Sequence, residues 1–325
     1  MKKQIVSICL RTLISIILIF ILLYTMRGKY GQLWDAIKSA NMLIFGLGLA
    51  AFLLACMVAS VRLKLIVDSQ SPVGVSFFEA ASLTLIGYFF NNFLPSSVGG
   101  DVAKAFYLSK KNKSKLNSFA CVFVDRAMGL ITMIFMAAIA LLFAEQQIVD
   151  KDVKYAIYGI TAFSLILVLF LINRNFARKF SGLLRFIRPL EEKLKKAYDA
   201  LHIYKNHTGL IVKSFAISIV SQVLFFISIG ILALSIGSRI PALDVLLRMP
   251  IICAASLIPS INGLGVREGS TVIFFGPVIG KTNAFAVSIL WLAVLFIVSI
   301  LGGLIYAFSP QFKMKWGELS SKGAL

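Results

Sequence analysis

Asn91-Asn92-Phe93-Leu94-Pro95-Ser96-Ser97-Val98-Gly99-Gly100-Asp101 decides how this chain is read, because it interrupts an apolar stretch with a polar turn. Pro95 lacks a backbone N–H and disfavours helix at Leu94. Gly99 and Gly100 permit positive φ and close approach by other groups. The apolar stretch 77–94 leads into the turn, and a short helix near 101–109 is expected to leave it. A second break, Pro259-Ser260-Ile261-Asn262-Gly263-Leu264-Gly265-Val266-Arg267-Glu268-Gly269, follows the apolar stretch 242–258.

Outward from these breaks, the composition is that of a membrane protein. Of 325 residues, 59% are hydrophobic and 14% charged, against about 25% charged in a soluble domain. The mean hydropathy is +0.89. A soluble globular enzyme, a disordered chain and a collagen-like fibre are excluded. Full spans fit near 5–24, 41–67, 117–144, 153–172, 209–235 and 283–308, each close to the roughly 20 residues that cross a bilayer. The net charge of +19 fits Lys and Arg gathered on cytoplasmic loops better than nucleic-acid binding.

Loop charge sets the orientation. Lys104, Lys110, Lys111, Lys113 and Lys115 make one loop basic, hence cytoplasmic. Glu145, Asp150 and Asp152 mark the next as external. The segment 173–207 is basic again, and 176–204 alternates apolar residues with Arg178, Lys179, Arg185 and Arg188, an amphipathic cytoplasmic pattern suited to an anionic leaflet. The N-terminal stretch lacks a small-residue cleavage site and reads as an uncleaved signal anchor. Both termini are then cytoplasmic. These assignments agree only if each Pro-broken stretch enters and leaves on the same side. The expected fold is an all-α polytopic membrane protein with six transmembrane helices and two re-entrant helical hairpins.

A shift of 164 residues superimposes the two halves. The span 41–67 falls near 209–235, and 117–144 near 283–308. Pro95-Ser96 falls on Pro259-Ser260, Gly99 on Gly263 and Val102 on Val266. This indicates an internal duplication, with repeat one near 5–144 and repeat two near 153–308, inside a single integral membrane domain over 1–325. Three crossings per repeat, an odd number, force opposite orientations. Inverted repeats with paired broken helices point to a transport site between the repeats.

Charged residues inside the membrane need a partner or a task. Arg126 is the leading candidate for a lipid phosphate, which a guanidinium grips bidentately. Asn92, Ser96, Gly99, Gly100 and Asp101 at the first break, and Asn262, Gly263, Arg267 and Glu268 at the second, complete the expected headgroup site. The helix leaving the first break presents free N–H groups and a positive dipole end to an anion. Lys104 and Asp125 are possible charge partners. The plainer alternative is a sealed kink in which Asp101 and Glu268 only neutralise Arg126 and Arg267. Arg62 and Arg248 are expected to snorkel to an interface. Cys9, Cys56, Cys121 and Cys253 lie in apolar segments without a C-x-x-C pair, so neither a metal nor a cofactor is expected. His202 and His207 share one basic loop, leaving no Ser/His/Asp or Cys/His set.

The run Asn91 to Asp101, then Val124-Asp125-Arg126 with Gly129-Leu130, then Pro259 to Glu268, resembles the lysylphosphatidylglycerol synthase transmembrane-region family, also called flippase-like domain proteins. The resemblance covers nearly the whole chain, with Asn262 standing where a Gly is usual. It implies movement of a lipid between leaflets of a bacterial or archaeal cytoplasmic membrane, the lipid being an anionic phospholipid or a polyprenyl-phosphate lipid. The synthase activity of the family's two-domain members belongs to a separate soluble domain and is not expected here. The expected function is therefore a lipid translocase. The rivals are a membrane partner subunit of a lipid-modifying enzyme and a transferase acting on lipid or cell-envelope glycan. The lipid, the direction of movement, the energy coupling and the oligomeric state stay open at this level.

Overall fold

The computed structural model describes residues 30–70, 74–93, 99–112, 114–144, 208–256, 260 and 263–312, together with 24, 155, 158, 159, 161 and 162. Among them are nine α-helices and no strand. They are α1 (Tyr30–Lys38), α2 (Met42–Asp68), α3 (Phe77–Phe93), α4 (Gly99–Asn112), α5 (Lys115–Ala144), α6 (Thr208–Ser235), α7 (Ala242–Ala255), α8 (Val266–Ile279) and α9 (Lys281–Phe308), followed by a 3₁₀ turn at Pro310–Phe312. The expected spans 5–24 and 153–172, and the amphipathic segment 173–207, lie largely or wholly outside the described residues.

Four helices, α2, α5, α6 and α9, are long and apolar enough to cross a membrane. α9 is the most enclosed of them. The other helices beside the breaks are shorter. α3 has 17 residues and α4, α7 and α8 have 14 each. At the α-helical rise they reach about 25 Å and about 21 Å, less than the roughly 30 Å hydrocarbon core.

α2 and α6 form the most extensive helix pairing. They run antiparallel, as three contacts show. The Asn41 N–H donates to the Ser235 carbonyl, the Ser228 hydroxyl to the Gly48 carbonyl, and the Ser221 hydroxyl to the Ala55 carbonyl. Each step of seven along α2 is answered by a step of seven back along α6. Small residues at these positions bring the backbones close, as in other membrane helix pairs. A Cβ on Gly48 would lie 3.0 Å from the Leu232 side chain. Asn41 also starts α2, its side chain accepting from the N–H groups of Leu43 and Ile44.

The remaining packing is two-sided. α3 packs on α9, and α7 packs on α5; α4 packs on α5, and α8 on α9. α3 and α4 touch each other, as do α7 and α8. One apolar core joins Phe52 and Cys56 of α2 to Phe226, Met249, Phe275 and Val294 of the second half. Another joins Leu63 and Val67 of α2 to Leu83, Leu108 and Cys121, with Phe312 closing it.

Two glycines explain how closely the helices meet. A Cβ on Gly100 would lie 2.1 Å from the Gly87 carbonyl oxygen, so α4 can approach α3 only because Gly100 has none. A Cβ on Gly302 would lie 2.0 Å from the Leu85 carbonyl oxygen, which puts α9 backbone against α3 backbone.

Candidate functional site

Where α2, α3, α6 and α9 meet they leave a cavity of ≈270 Å³. Its polar lining is Arg62, Thr84, Tyr88, Ser221, Gln222 and Trp291. Phe52 and Phe225 add aromatic wall, meeting edge to face at 5.9 Å, with Phe225 tilted against Trp291 at 5.7 Å.

Arg62 is only 7% exposed, so it does not snorkel to an interface as its sequence position suggested. An uncompensated buried charge is costly, and the surroundings compensate it. Its Nε donates to Asp125 Oδ1 at 2.7 Å and its Nη1 to the Ser218 hydroxyl oxygen at 2.8 Å. The Ser218 hydroxyl in turn donates a hydrogen bond to the Ser214 carbonyl one turn earlier. Gly129 makes room: a Cβ there would lie 3.3 Å from Arg62 Nη1. Gln222 donates to the Gly129 carbonyl at 3.2 Å, tying α6 to α5 beside the cavity.

The opposite wall is backed by the second break. Trp291 carries the Arg267 guanidinium over its ring at 5.1 Å, a cation–π contact. Arg267 is 3% exposed and Glu268 4%. Arg267 Nε and Nη2 donate to Glu268 Oε1 at 3.0 and 2.5 Å. Glu268 Oε2 accepts from the Gly265 N–H at 2.7 Å, so the helix's own acid occupies the start of α8. Gly263 and Gly265, at φ 76° and 82°, make the turn that allows this.

The first break forms a separate charged group. Arg126 Nη1 hydrogen-bonds to Asp101, and Lys104 Nζ stands 3.7 Å from the same carboxylate. Asn91 accepts from the Gly100 N–H at 2.7 Å, so the N-terminus of α4 is met by a side chain of α3. The expectation that this helix start faces an anion with its N–H groups free is corrected at Gly100.

Among the described residues, the contacts of the sequence-derived residues gather in two groups. Gly99, Gly100, Asp101, Lys104 and Arg126 belong to the first. Gly263, Arg267 and Glu268 belong to the second. Asp125 leaves its neighbour Arg126 and pairs with Arg62. Asn92 sits half-buried in the last turn of α3. Ser96 and Asn262 lie outside the described residues. None of these residues is in the cavity lining itself. Arg248, also expected at an interface, pairs with Asp244 at 2.9 Å and donates to the Phe274 carbonyl. The cavity residues Tyr88, Ser221, Gln222 and Trp291 were not anticipated. The serines carried a signal, since Ser214, Ser221, Ser228 and Ser235 recur every seventh residue.

Among the described residues no group of His, Cys, Asp and Glu is placed to hold a metal ion. A model of the family described as lysylphosphatidylglycerol synthase TM region matches residues 8–303. No curated protein and no solved structure matches the chain.

Proposed function

The chain belongs to the lysylphosphatidylglycerol synthase transmembrane-region family, and from that premise we propose that it carries a lipid headgroup between the leaflets of a cell membrane and does not synthesise the lipid. The observation that carries this reading is the partly open cavity between α2 and α3 of one half and α6 and α9 of the other. A polar chamber held by helices from both halves is where an alternating-access carrier binds its cargo. The acyl chains stay in the bilayer while the headgroup crosses. An anionic phospholipid or a polyprenyl-phosphate lipid fits the chemistry of this chamber.

The architecture assigned to this carrier is a pair of inverted repeats. Two facts support it. Helices α2 to α5 recur as α6 to α9 in the same order, with lengths of 27, 17, 14 and 30 residues against 28, 14, 14 and 28. The corresponding helices α2 and α6 run antiparallel, as inversion requires. The short pairs α3–α4 and α7–α8 then dip into the membrane from opposite sides, and residues 5–24 and 153–172 supply the fifth and sixth crossings. Both termini face the cytoplasm, which places the basic loop after α4 inside.

The test is a flipping assay in proteoliposomes carrying fluorescent phosphatidylglycerol, with dithionite bleaching the outer leaflet. Wild-type protein is expected to expose nearly all of the label. Ala59→Phe, which fills the cavity without touching a charge, is expected to fall to the protein-free baseline. Equal rates for the two proteins, or no flipping above baseline with phosphatidylglycerol and undecaprenyl phosphate alike, removes the proposal.

A further inference from the structure

Taking the carrier reading of the cavity as given, we infer that it opens between two walls that each mix the halves. α3 and α9 move as one body against a second body made of α2, α5 and α6, and the Asp101–Arg126 pair ties the two across their boundary.

The lining divides in this way. α2 and α6 supply one wall, with Arg62 and Gln222, and α3 and α9 supply the other, with Tyr88 and Trp291. Each wall is closed by backbone contact. In the α2–α6 seam the Ser228 and Ser221 hydroxyls reach the Gly48 and Ala55 carbonyls of the facing helix. In the α3–α9 pair a Cβ on Gly302 would lie 2.0 Å from the Leu85 carbonyl oxygen, and Ser299 Oγ stands 3.5 Å from the Tyr88 carbonyl oxygen. Helices that meet through small residues fit at one depth and register, so neither pair slides without losing its contacts. Buried polar bonds add α5 to the first wall, Arg62 to Asp125 and Gln222 to the Gly129 carbonyl. α4 rides on α3, because Gly100 lies against Gly87.

The contacts between the two bodies are of another kind. Phe52 meets Tyr88 edge to face at 5.7 Å, Phe225 tilts against Trp291 at 5.7 Å, and the Ser60 hydroxyl donates to Thr84 Oγ1 at 2.9 Å. Ring edges and a single hydrogen bond can part and re-form without disturbing a backbone contact. The charged tie is Asp101 of α4 with Arg126 of α5. Rocking the first half of the chain against the second would instead part α2 from α6 and α3 from α9, the pairs whose backbones touch.

The test is double electron–electron resonance on the full chain in lipid nanodiscs, in a background without the four native cysteines, with spin labels at exposed positions. Leu47→Cys with Val212→Cys reports inside the α2–α6 wall, and Phe78→Cys with Phe296→Cys inside the α3–α9 wall. Phe78→Cys with Val212→Cys reports across the boundary. Thr84→Val removes the hydrogen-bonded tie and leaves Ser60 its bond to the carbonyl of residue 56. Arg126→Gln removes the charged tie.

The across-boundary distribution is expected to shift by several ångströms, or to gain a second population, in these variants, while both inside pairs keep the distribution of the unsubstituted protein. A shift in either variant with both inside pairs unmoved supports the inference. An unchanged across-boundary distribution in both variants overturns it, and so does an inside pair that shifts as far as the across-boundary one. If Arg126→Gln fails to fold, as judged by size exclusion, Thr84→Val carries the test. Flipping measured on the same variants separates the two readings. Walls that move as assigned in a protein that flips no lipid keep the two bodies and sink the translocase. Flipping in a protein whose inside pairs shift does the reverse.

Discussion

Asp125 and Arg126 are adjacent in sequence and serve different partners, because neighbouring helix positions diverge by about 100°. Asp125 turns to Arg62 and Arg126 to Asp101. Removing one member of the buried Arg62–Asp125 pair leaves the other uncompensated, so Asp125→Ala is expected to cost about 3–5 kcal/mol. The double change Arg62→Met with Asp125→Leu is expected to recover most of that loss. Thermal unfolding in detergent reads both. The pair was half legible in the sequence: a charge inside an apolar run demands a partner, but a 27-residue helix that is apolar all round does not reveal which face is inward. Trp291 and Tyr88 were not legible at all, since an aromatic in a membrane helix looks the same facing lipid, core or cavity. Glycines give a sharper residue-level contrast. Gly302→Ala would drive a methyl group into the Leu85 carbonyl, whereas Gly230→Ala meets nothing within 4 Å. The first is expected to lower the thermal midpoint by several degrees through overpacking of about 1–3 kcal/mol or more. The second is expected to be neutral or stabilising, because Ala is the better helix former.

Among the elements, the α3–α4 pair is braced at the end away from its turn. Glu79 on α3 accepts from Lys111 of α4 at 2.8 and 2.9 Å, from the Tyr107 hydroxyl at 3.2 Å, and from the Ser76 N–H at 2.8 Å. Burial works to raise the Glu79 carboxyl, but these hydrogen bonds and the Lys111 charge outweigh it and hold the carboxyl below its ordinary 4.5. Burial and the same carboxylate push Tyr107 up to about 12, so it stays a donor. A depressed carboxyl stabilises the fold fully above its unfolded value and loses that contribution as pH falls through the folded one. Acidification below about pH 4.5 is thus expected to loosen this pair, and Glu79→Gln is expected to flatten the acid side of the stability profile, read by thermal unfolding from pH 3 to 7. That short helices flank each Pro-Ser break could be read from Pro, Gly and hydropathy alone, because those residues act locally. The α2–α6 seam could not be read so directly. Its signal is a seven-residue recurrence of Ser facing Gly and Ala in a distant segment, and pairing across the chain leaves no mark on either segment by itself.

At the scale of the whole molecule, the proposed carrier needs its two short helix pairs to turn back inside the membrane, and helix length allows this: none of α3, α4, α7 and α8 reaches across the hydrocarbon core unaided. What remains to separate is a hairpin from a kinked crossing. If α7 and α8 made one broken span, their outer ends would lie on opposite faces. If they turn back, both ends share a face. Arg239, just before α7, and Lys281, at the start of α9, mark those ends, and both are exposed. In a background without the four native cysteines, Arg239→Cys and Lys281→Cys are both expected to react with a membrane-impermeant maleimide added to intact cells. Gln70→Cys and Lys110→Cys, which bracket α3 and α4, are expected to react only after permeabilisation. A Lys281→Cys protected in intact cells while Arg239→Cys reacts would make the second pair a crossing. It would also reverse α9, so that α9 would run the same way as α5 and the second half would no longer be an inverted copy of the first, although α6 would stay antiparallel to α2. The α2–α6 seam fixes only the first helix of each half, so the maleimide pattern is the independent test of whether the whole halves are opposed, as the proposed alternating-access carrier requires.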